Sequence, residues 1–460
     1  MLFSSVTLLP EPSFKTPVSY TEADARATAL LDKLTLPQKL GLISGHNGFF
    51  LRGYPELGIP ELYMSDASGG INIRRNVNAL LEKSTAFPNP LALAATWNPS
   101  LAYKYARAIG EECRAGGIAF LLGPGMNLYR HSQYGRNFEY FGEDPCLASR
   151  IVERYVTGVL DTGTIPTIKH FIGNETDHYR RTSNSIIDDR ALHEIYLPAF
   201  KTAIDAGAMA VMTAYNLFNG EWCGQNRALI TDLLRNELGY KWLVMTDWWS
   251  VWDATKIVKS GQDLEMPGDK FLKADADRLL QSGQIAEPEI DRMVKSLLRT
   301  TIAAGLHDRP VHDSYYASKY AEHEQVALQT ARESIVLLKN DNQTLPLSRT
   351  AAKKKKIILT GRFVDTLPRG LGSAEVDGYN IVTLLDALRD TYGDALHHIA
   401  NPTDADLESA DLVLLSTGTL DSEAGIAPSP SPPTRNSVSS APLRSTRAPS
   451  SSSTRAPASK

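Results

Sequence analysis

The chain reads as an α/β protein built on a TIM-like (β/α)8 barrel, followed by the start of a second α/β unit and a polar tail. Three observations predict this. Apolar runs of strand length end abruptly in polar, hydrogen-bonding side chains: Ile165-Pro166-Thr167-Ile168-Lys169-His170-Phe171, Ala208-Met209-Ala210-Val211-Met212-Thr213-Ala214-Tyr215-Asn216, and Trp242-Leu243-Val244-Met245-Thr246-Asp247-Trp248-Trp249. Segments with helical spacing follow, such as 189–197 and 228–235. Strand, site loop and helix in repeating order is the pattern of a parallel β/α barrel, whose functional groups gather at the carboxyl ends of the strands.

Taken in order, residues 1–19 are irregular, and a helix beginning near Thr21 carries Glu22 and Asp24 in its first turn. The barrel is expected over 20–310, a length typical of that fold. Residues 311–330 read as a linker, and 331–425 as the second unit. That unit opens with a helical stretch over 320–339 bearing Val326, Leu328, Ile335, Leu337 and Leu338, and continues through strands at 357–360 and 412–416. The four lysines Lys353 to Lys356 are a solvated turn before the first of those strands. From 426 to 460 there is no Asp or Glu and a run of Pro, Ser, Arg and Ala. Such a segment buries too little surface to offset chain entropy and is expected to be disordered.

Composition narrows the function. A net charge of -4 over 460 residues argues against nucleic acid as a partner. Cys113, Cys146 and Cys223 lack the paired spacing of a zinc site, and Gly370-Leu371-Gly372 lacks the strand-to-helix setting of a nucleotide cradle, so no metal and no cofactor are expected. No segment is long and apolar enough to span a membrane. The first ten residues lack a basic n-region and a full apolar core, so no signal peptide is read and the compartment stays undetermined. Asp247 itself, at a strand end, is by position either a turn cap or a reactive group.

Its company decides between these. Lys169-His170-Phe171 with Gly173-Asn174-Glu175, Asp189-Arg190-Ala191-Leu192 with Glu194-Ile195-Tyr196, Met212-Thr213-Ala214-Tyr215-Asn216 with Asn219-Gly220, and Thr246-Asp247-Trp248 resemble the successive signatures of glycoside hydrolase family 3, the β-glucosidase family. Gly135-Arg136-Asn137-Phe138-Glu139 with Phe141-Gly142-Glu143-Asp144-Pro145, and Asp263-Leu264-Glu265-Met266-Pro267-Gly268, extend the resemblance over roughly residues 20 to 425.

The resemblance implies a retaining glycosidase that cleaves terminal β-D-glucosyl residues from a β-glucoside or oligosaccharide. Such an enzyme needs a carboxylate nucleophile and a second carboxyl group about 5 Å away as acid and base. Asp247 matches the family nucleophile and Asp66 the Asp that grips the sugar hydroxyls. Arg136, Lys169 and His170 are suited to holding charge and donating hydrogen bonds to hydroxyls. Trp248 and Tyr215 offer flat apolar surface, and Met212 a subsite wall. The bland alternatives are a structural histidine at His170 and a buried ion pair of Arg136 with Glu139 or Asp144. Lys169 and His170 reach one sugar only if the strand end is distorted, because neighbours on a regular strand face opposite ways. Glu175, Asp177, Asp263 and Glu265 read as structural. The chain departs from the family after Asp66: Ala67-Ser68 follow, and Asn72 stands near where the family has an Arg.

The family's acid/base Glu motif is absent, which reads as a truncation or shifted frame replacing the rest of an α/β/α sandwich. Glu375 and Glu423 are the substitutes to weigh, Glu423 lying in what resembles a sugar-contacting loop. Activity is therefore expected to be impaired, more on poor leaving groups than on activated ones. The alternatives are a carbohydrate-binding protein without turnover and, among substrates, a β-xyloside or an N-acetylglucosaminide. Asp177-His178 fits the last poorly.

Overall fold

A computed structural model describes residues 16–423 apart from 67, 75, 76, 78, 79 and 269. The expected tail lies outside them. Twelve strands occur among the described residues: β1 (Phe50–Leu51), β2 (Leu62–Asp66), β3 (Ile118–Leu122), β4 (Ile165–Phe171), β5 (Asn184–Ser185), β6 (Ala210–Thr213), β7 (Leu217–Phe218), β8 (Glu221–Trp222), β9 (Leu243–Thr246), β10 (Ile357–Gly361), β11 (Leu396–His398) and β12 (Leu412–Ser416). They divide between two compact units.

The first unit is formed by the described residues within Met1–Leu345, Leu367–Val382 and Thr419–Ala427. Its main sheet runs in the order β1-β2-β3-β4-β6-β9, parallel throughout except for the β1–β2 pair. Strands β2, β3, β4, β6 and β9 are buried along their whole length, which is why they read as unbroken apolar runs instead of alternating ones. Helices Pro99–Ala115, Pro145–Leu160 and Leu197–Asp205 pack in succession outside, and Tyr20–Leu31 lies on Glu287–Ala303. The first two start cleanly, with Asn98 and Asp144 accepting amide hydrogen bonds ahead of a proline.

Beyond β9 the bonding continues without regular strands. The Thr246 amide donates to the Leu264 carbonyl at 3.0 Å, and the Glu265 amide to the Ile43 carbonyl at 2.9 Å. The Gly45 amide donates to the Glu265 carbonyl at 2.9 Å, and His46 and Phe50 exchange both backbone bonds at 2.8 Å, which returns to β1. Expectation and outcome differ here: the sequence pattern suggested eight parallel strands, whereas six are regular and one is reversed. The backbones approach closely at the seam, where a Cβ on Gly268 would lie 2.0 Å from the Gly45 nitrogen. Asp263 fastens it, bonding Arg235 at 2.7 Å, Arg292 at 2.8 Å and Ser296 Oγ at 2.8 Å. Glu265 accepts the amides of Phe271 and Leu272 at the start of the next helix.

The helical stretch expected over 320–339 stops at Ser334, where the β-branched pair Ile335-Val336 turns extended. This helix groups with the first unit, not the second. Its His323 is 3% exposed, with Nδ1 2.9 Å from Glu112 and Nε2 3.0 Å from Glu111. Two carboxylates, one at each ring nitrogen, require the doubly protonated imidazolium. Glu112 also accepts from Ser84 Oγ at 2.6 Å and from the Thr85 amide at 2.9 Å.

The second unit is formed by Pro346–Thr366, Thr383–Gly418 and Pro428–Lys460, of which the last segment is not described. Its sheet is parallel, in the order β11-β10-β12, over a small core of Ala352, Ile357, Leu359, Val364, Leu385 and Leu396. On β12, Val413 and Leu415 are exposed.

Candidate active site

Asp247 follows β9 directly, at the carboxyl end of the main sheet, and is 6% exposed. Its Oδ1 accepts the Trp248 amide at 2.7 Å, so the turn-capping role and a free oxygen coexist in one side chain. Oδ2 has no hydrogen-bond partner among the described residues and faces His170 Nε2 at 3.6 Å. Burial pushes the Asp247 carboxyl up to about 6, opposed by the charges of Arg136, Arg180 and Lys169 and reinforced by Glu423. At neutral pH it is mainly ionised.

Lys169 and His170 close β4, where the register against β6 shifts between Ile168 and Phe171. This is the distortion the pair needs in order to serve one site. Lys169 Nζ lies 3.1 Å from Asp66 Oδ1, at the end of β2. Arg74 bonds the other oxygen of Asp66 at 2.9 Å, and its guanidinium sits 3.9 Å over the Phe49 ring. Sequence reasoning assigned no residue to this role beyond noting Asn72. The Asn72 amide points elsewhere, to the Ser373 carbonyl at 2.8 Å, and the cation comes from two positions further on.

His170 is 1% exposed, with Nδ1 3.0 Å from the Tyr140 hydroxyl. Burial and the nearby Arg136, Lys169 and Arg180 hold its pKa well below the usual range, so it is neutral. If Tyr140 donates to Nδ1, Nε2 carries the proton toward Asp247. The Asn127 side chain pins the backbone of His170 from both sides, at 2.9 and 3.0 Å.

Arg136 is 1% exposed and makes the buried pair with Glu139 that competed with its sugar-binding role. Among the described residues its NH1 has no hydrogen bond, and it lies 3.5 Å from Glu423. The structure thus brings a further carboxylate into the site. Residues 371 and 422 bridge in parallel, which carries Glu423 in, and the Ser373 amide donates to it at 2.9 Å. Arg180 binds the same carboxylate at 2.9 Å and Asp177 at 3.2 Å. Burial alone would raise the Glu423 carboxyl, but Arg136 and Arg180 outweigh it and hold it well below the usual range. Glu375 is half-exposed and paired with Arg369 at 3.4 Å. The Glu175 carboxyl is pushed up to about 7 by burial, next to Arg130 and Tyr196.

Tyr215 is buried, with Arg180 4.1 Å above its ring and Asp247 close enough to push its phenol up further after burial. Trp248 donates from Nε1 to the Gly48 carbonyl at 2.9 Å, and its ring lies 5.0 Å from Phe49. Met212 lies opposite Met245 in the sheet, 1% exposed among core residues.

Unmatched polar atoms converge here: Asp247 Oδ2, His170 Nε2, Arg136 NH1 and Arg74 NH1 lack hydrogen bonds within the described residues. A neutral polyhydroxyl ligand supplies donors and acceptors to such a set without adding charge. Among the described residues no group of three or more His, Cys, Asp or Glu converges to hold a metal ion.

Residues 53–300 match the "Glycosyl hydrolase family 3 N terminal domain" and residues 335–440 the "Glycosyl hydrolase family 3 C-terminal domain". Beta-glucosidase B of Emericella nidulans is 36% identical over 386 residues, which is 82% of this chain and 45% of that protein. Thermostable beta-glucosidase B of Acetivibrio thermocellus is 35% identical over 382 residues, 80% of this chain and 49% of its own length. The chain therefore spans about half the length of the curated relatives it matches. Among solved structures, beta-glucosidase 3B from Thermotoga neapolitana in complex with alpha-D-glucose superposes with a TM-score of 0.74 at 29% identity, covering 81% of this chain and 55% of that one. Beta-glucosidase from Kluyveromyces marxianus in complex with glucose gives 0.75 at 30% identity, covering 82% and 46%. On the extent of these matches, the chain belongs to glycoside hydrolase family 3.

Proposed function

We propose that the chain is a retaining β-glucosidase in which Asp247 attacks the anomeric carbon and forms a covalent glucosyl-enzyme. The observation that carries this reading is the buried Asp247 carboxylate at the end of the central sheet, whose Oδ2 has no hydrogen bond among the described residues. Relatives described as beta-glucosidases, some of them solved with glucose, support the choice of sugar. The run of backbone bonds from β9 round to β1 supports a TIM-like barrel as the frame, with the second unit as part of an α/β/α sandwich.

In this reading Asp66, braced by Lys169 and Arg74, accepts hydrogen bonds from the hydroxyls of the terminal sugar. His170 donates beside the nucleophile, and Arg136 NH1 supplies a further donor. Trp248 and Phe49 form an apolar wall, while Tyr215 steadies the nucleophile. The step that lags is protonation of the leaving group. Glu423 is the carboxyl group at hand, and as arranged it carries no proton to give. General acid help is worth about two to four powers of ten. Aryl glucosides with acidic leaving groups are therefore turned over and cellobiose poorly.

Intact-mass measurement after incubation with a fluorinated, activated β-glucoside, followed by peptide mapping, tests this. A glucosyl adduct on Asp247 is expected. A folded sample that binds glucose and forms no adduct favours the second reading, a carbohydrate-binding protein without turnover. The same assay run with the fluorinated β-xyloside separates the two sugars.

A further inference from the structure

A buried line of hydrogen-bonding groups runs behind the candidate nucleophile. The Tyr134 and Tyr140 hydroxyls lie 2.9 Å apart, the Tyr140 hydroxyl is 3.0 Å from His170 Nδ1, and His170 Nε2 faces Asp247 Oδ2 at 3.6 Å. Both tyrosines are buried, and burial pushes both phenols well above their usual range, so each keeps its proton. The Tyr140 ring lies hard against Gly125, where an added Cβ would sit 2.7 Å from two ring carbons, and Gly125 in turn bridges Lys169.

Counting protons gives the line a direction. Each hydroxyl has one proton to donate, and the neutral imidazole has one. Among the described residues the Tyr134 hydroxyl bonds Tyr140 alone. If His170 donated from Nδ1 into the phenols, the last proton, on Tyr134, would meet no acceptor among those residues, and the bare Nε2 would turn a lone pair toward a carboxylate oxygen. If Tyr134 donates to Tyr140 and Tyr140 to Nδ1, the His170 proton sits on Nε2 and points at Asp247 Oδ2. The rival acceptor for an Nδ1 proton is Asn127 Oδ1 at 3.3 Å, which already takes the His170 amide at 2.9 Å.

We propose that Tyr140, backed by Tyr134, is a positioning residue that locks His170 in the tautomer protonated on Nε2, so that this nitrogen donates beside Asp247 instead of accepting there. Which ring nitrogen of a histidine carries the proton is set by the hydrogen bond that the other one makes. A donor at Nε2 favours the ionised nucleophile and can bond the oxygen of a sugar hydroxyl, whereas a lone pair there opposes the carboxylate. The catalytic consequence rests on the glycosidase reading; the lock itself does not.

The test is the 15N spectrum of the histidine rings in the full chain at neutral pH, with H170Q to assign the His170 signals, since the two neutral tautomers give distinct patterns of protonated and bare nitrogen. The parent should show the Nε2–H form. Y140F keeps the ring against Gly125 and removes the donor, and should convert His170 to the Nδ1–H form, held by Asn127 Oδ1. Y134F, one step further out, should leave the tautomer unchanged. On an activated aryl β-glucoside, Y140F should lower kcat/KM on the order of tenfold and Y134F by less than about threefold. A check free of substitution is incorporation of meta-fluorinated tyrosine, whose more acidic phenol should strengthen the bond and shift the Nδ1 signal. An Nδ1–H form in the parent, an Nε2–H form that persists in Y140F, or an Nδ1 signal indifferent to the fluorinated phenol overturns the lock. A converted tautomer with unchanged kcat/KM overturns its part in catalysis. The spectra need no turnover, so absence of the Asp247 adduct would remove the glycosidase reading while the lock is judged separately.

Discussion

Replacing His323 with glutamine probes the buried contact between the helices Tyr320–Ser334 and Pro99–Ala115. Burial disfavours the charged imidazole there, but its hydrogen bonds to Glu111 and Glu112 prevail and lift its pKa from 6.5 to about 9. The groups facing it are those two carboxylates, Arg107 behind Glu111 at 3.0 Å, and the Tyr320 ring at 6.0 Å. Between these two pH values the unfolded chain has released the His323 proton while the folded chain keeps it, so stability falls as pH rises. The contribution is complete below 6.5 and is lost as pH climbs through about 9. At about 1.4 kcal/mol per pH unit the interval amounts to about 3 kcal/mol. Urea denaturation followed by tryptophan fluorescence, at about pH 6 and about pH 10, measures it in both proteins. The margin of the parent over H323Q should shrink by about 3 kcal/mol between the two conditions. A margin constant to within about 0.5 kcal/mol would refute the reasoning, because a neutral His323 in that place gives no such dependence.

Other expectations concern the site. Asp247→Asn should lower turnover of an activated aryl β-glucoside by on the order of 10⁴-fold or more and prevent the covalent adduct, while glucose binding, followed by calorimetry, changes far less. Since Asp247 must be ionised to attack and its carboxyl is raised to about 6 by burial, kcat/KM for that substrate should fall tenfold per pH unit below about 6; a profile flat to pH 4.5 would argue against Asp247 as nucleophile. Arg74→Met leaves Asp66 with Lys169 alone and should weaken competitive inhibition by glucose by about tenfold, or about 1.4 kcal/mol, with kcat on the aryl glucoside affected less than KM.

The strands that end in chemistry were legible because burial on both faces writes them as continuous apolar runs, and β4, β6 and β9 lie inside the runs that announced them. The structure brings Asp66, Arg136, Lys169, His170 and Asp247 to one end of one sheet. Arg74 and Arg180 were not assigned from sequence, and Glu423 was weighed there only as a substitute acid in a loop resembling a sugar-contacting one, for a physical reason common to all three. Each acts through a partner in another segment, and a pairing between positions 180 and 423 leaves no local periodicity. Arg136 illustrates the limit from the other side: its local pair with Glu139 was weighed as one alternative to sugar binding, while its approach to Glu423 was not. The helix end at Ser334 was misjudged because Ile335, Leu337 and Leu338 continue an apolar pattern that helix and strand share.

The seam that returns the backbone bonding from β9 to β1 sets an order of events during synthesis. The bond between the Gly45 amide and the Glu265 carbonyl joins positions 220 residues apart (265 minus 45). At about 5 to 20 residues per second a ribosome needs roughly 10 to 40 s to make the intervening chain. Throughout that interval the Ile43 carbonyl and the Gly45 amide await Glu265, which is not yet made. The nascent chain is therefore most exposed to pairing with other chains before residue 265 emerges, and a pause placed just upstream of Asp263 would lengthen that exposure.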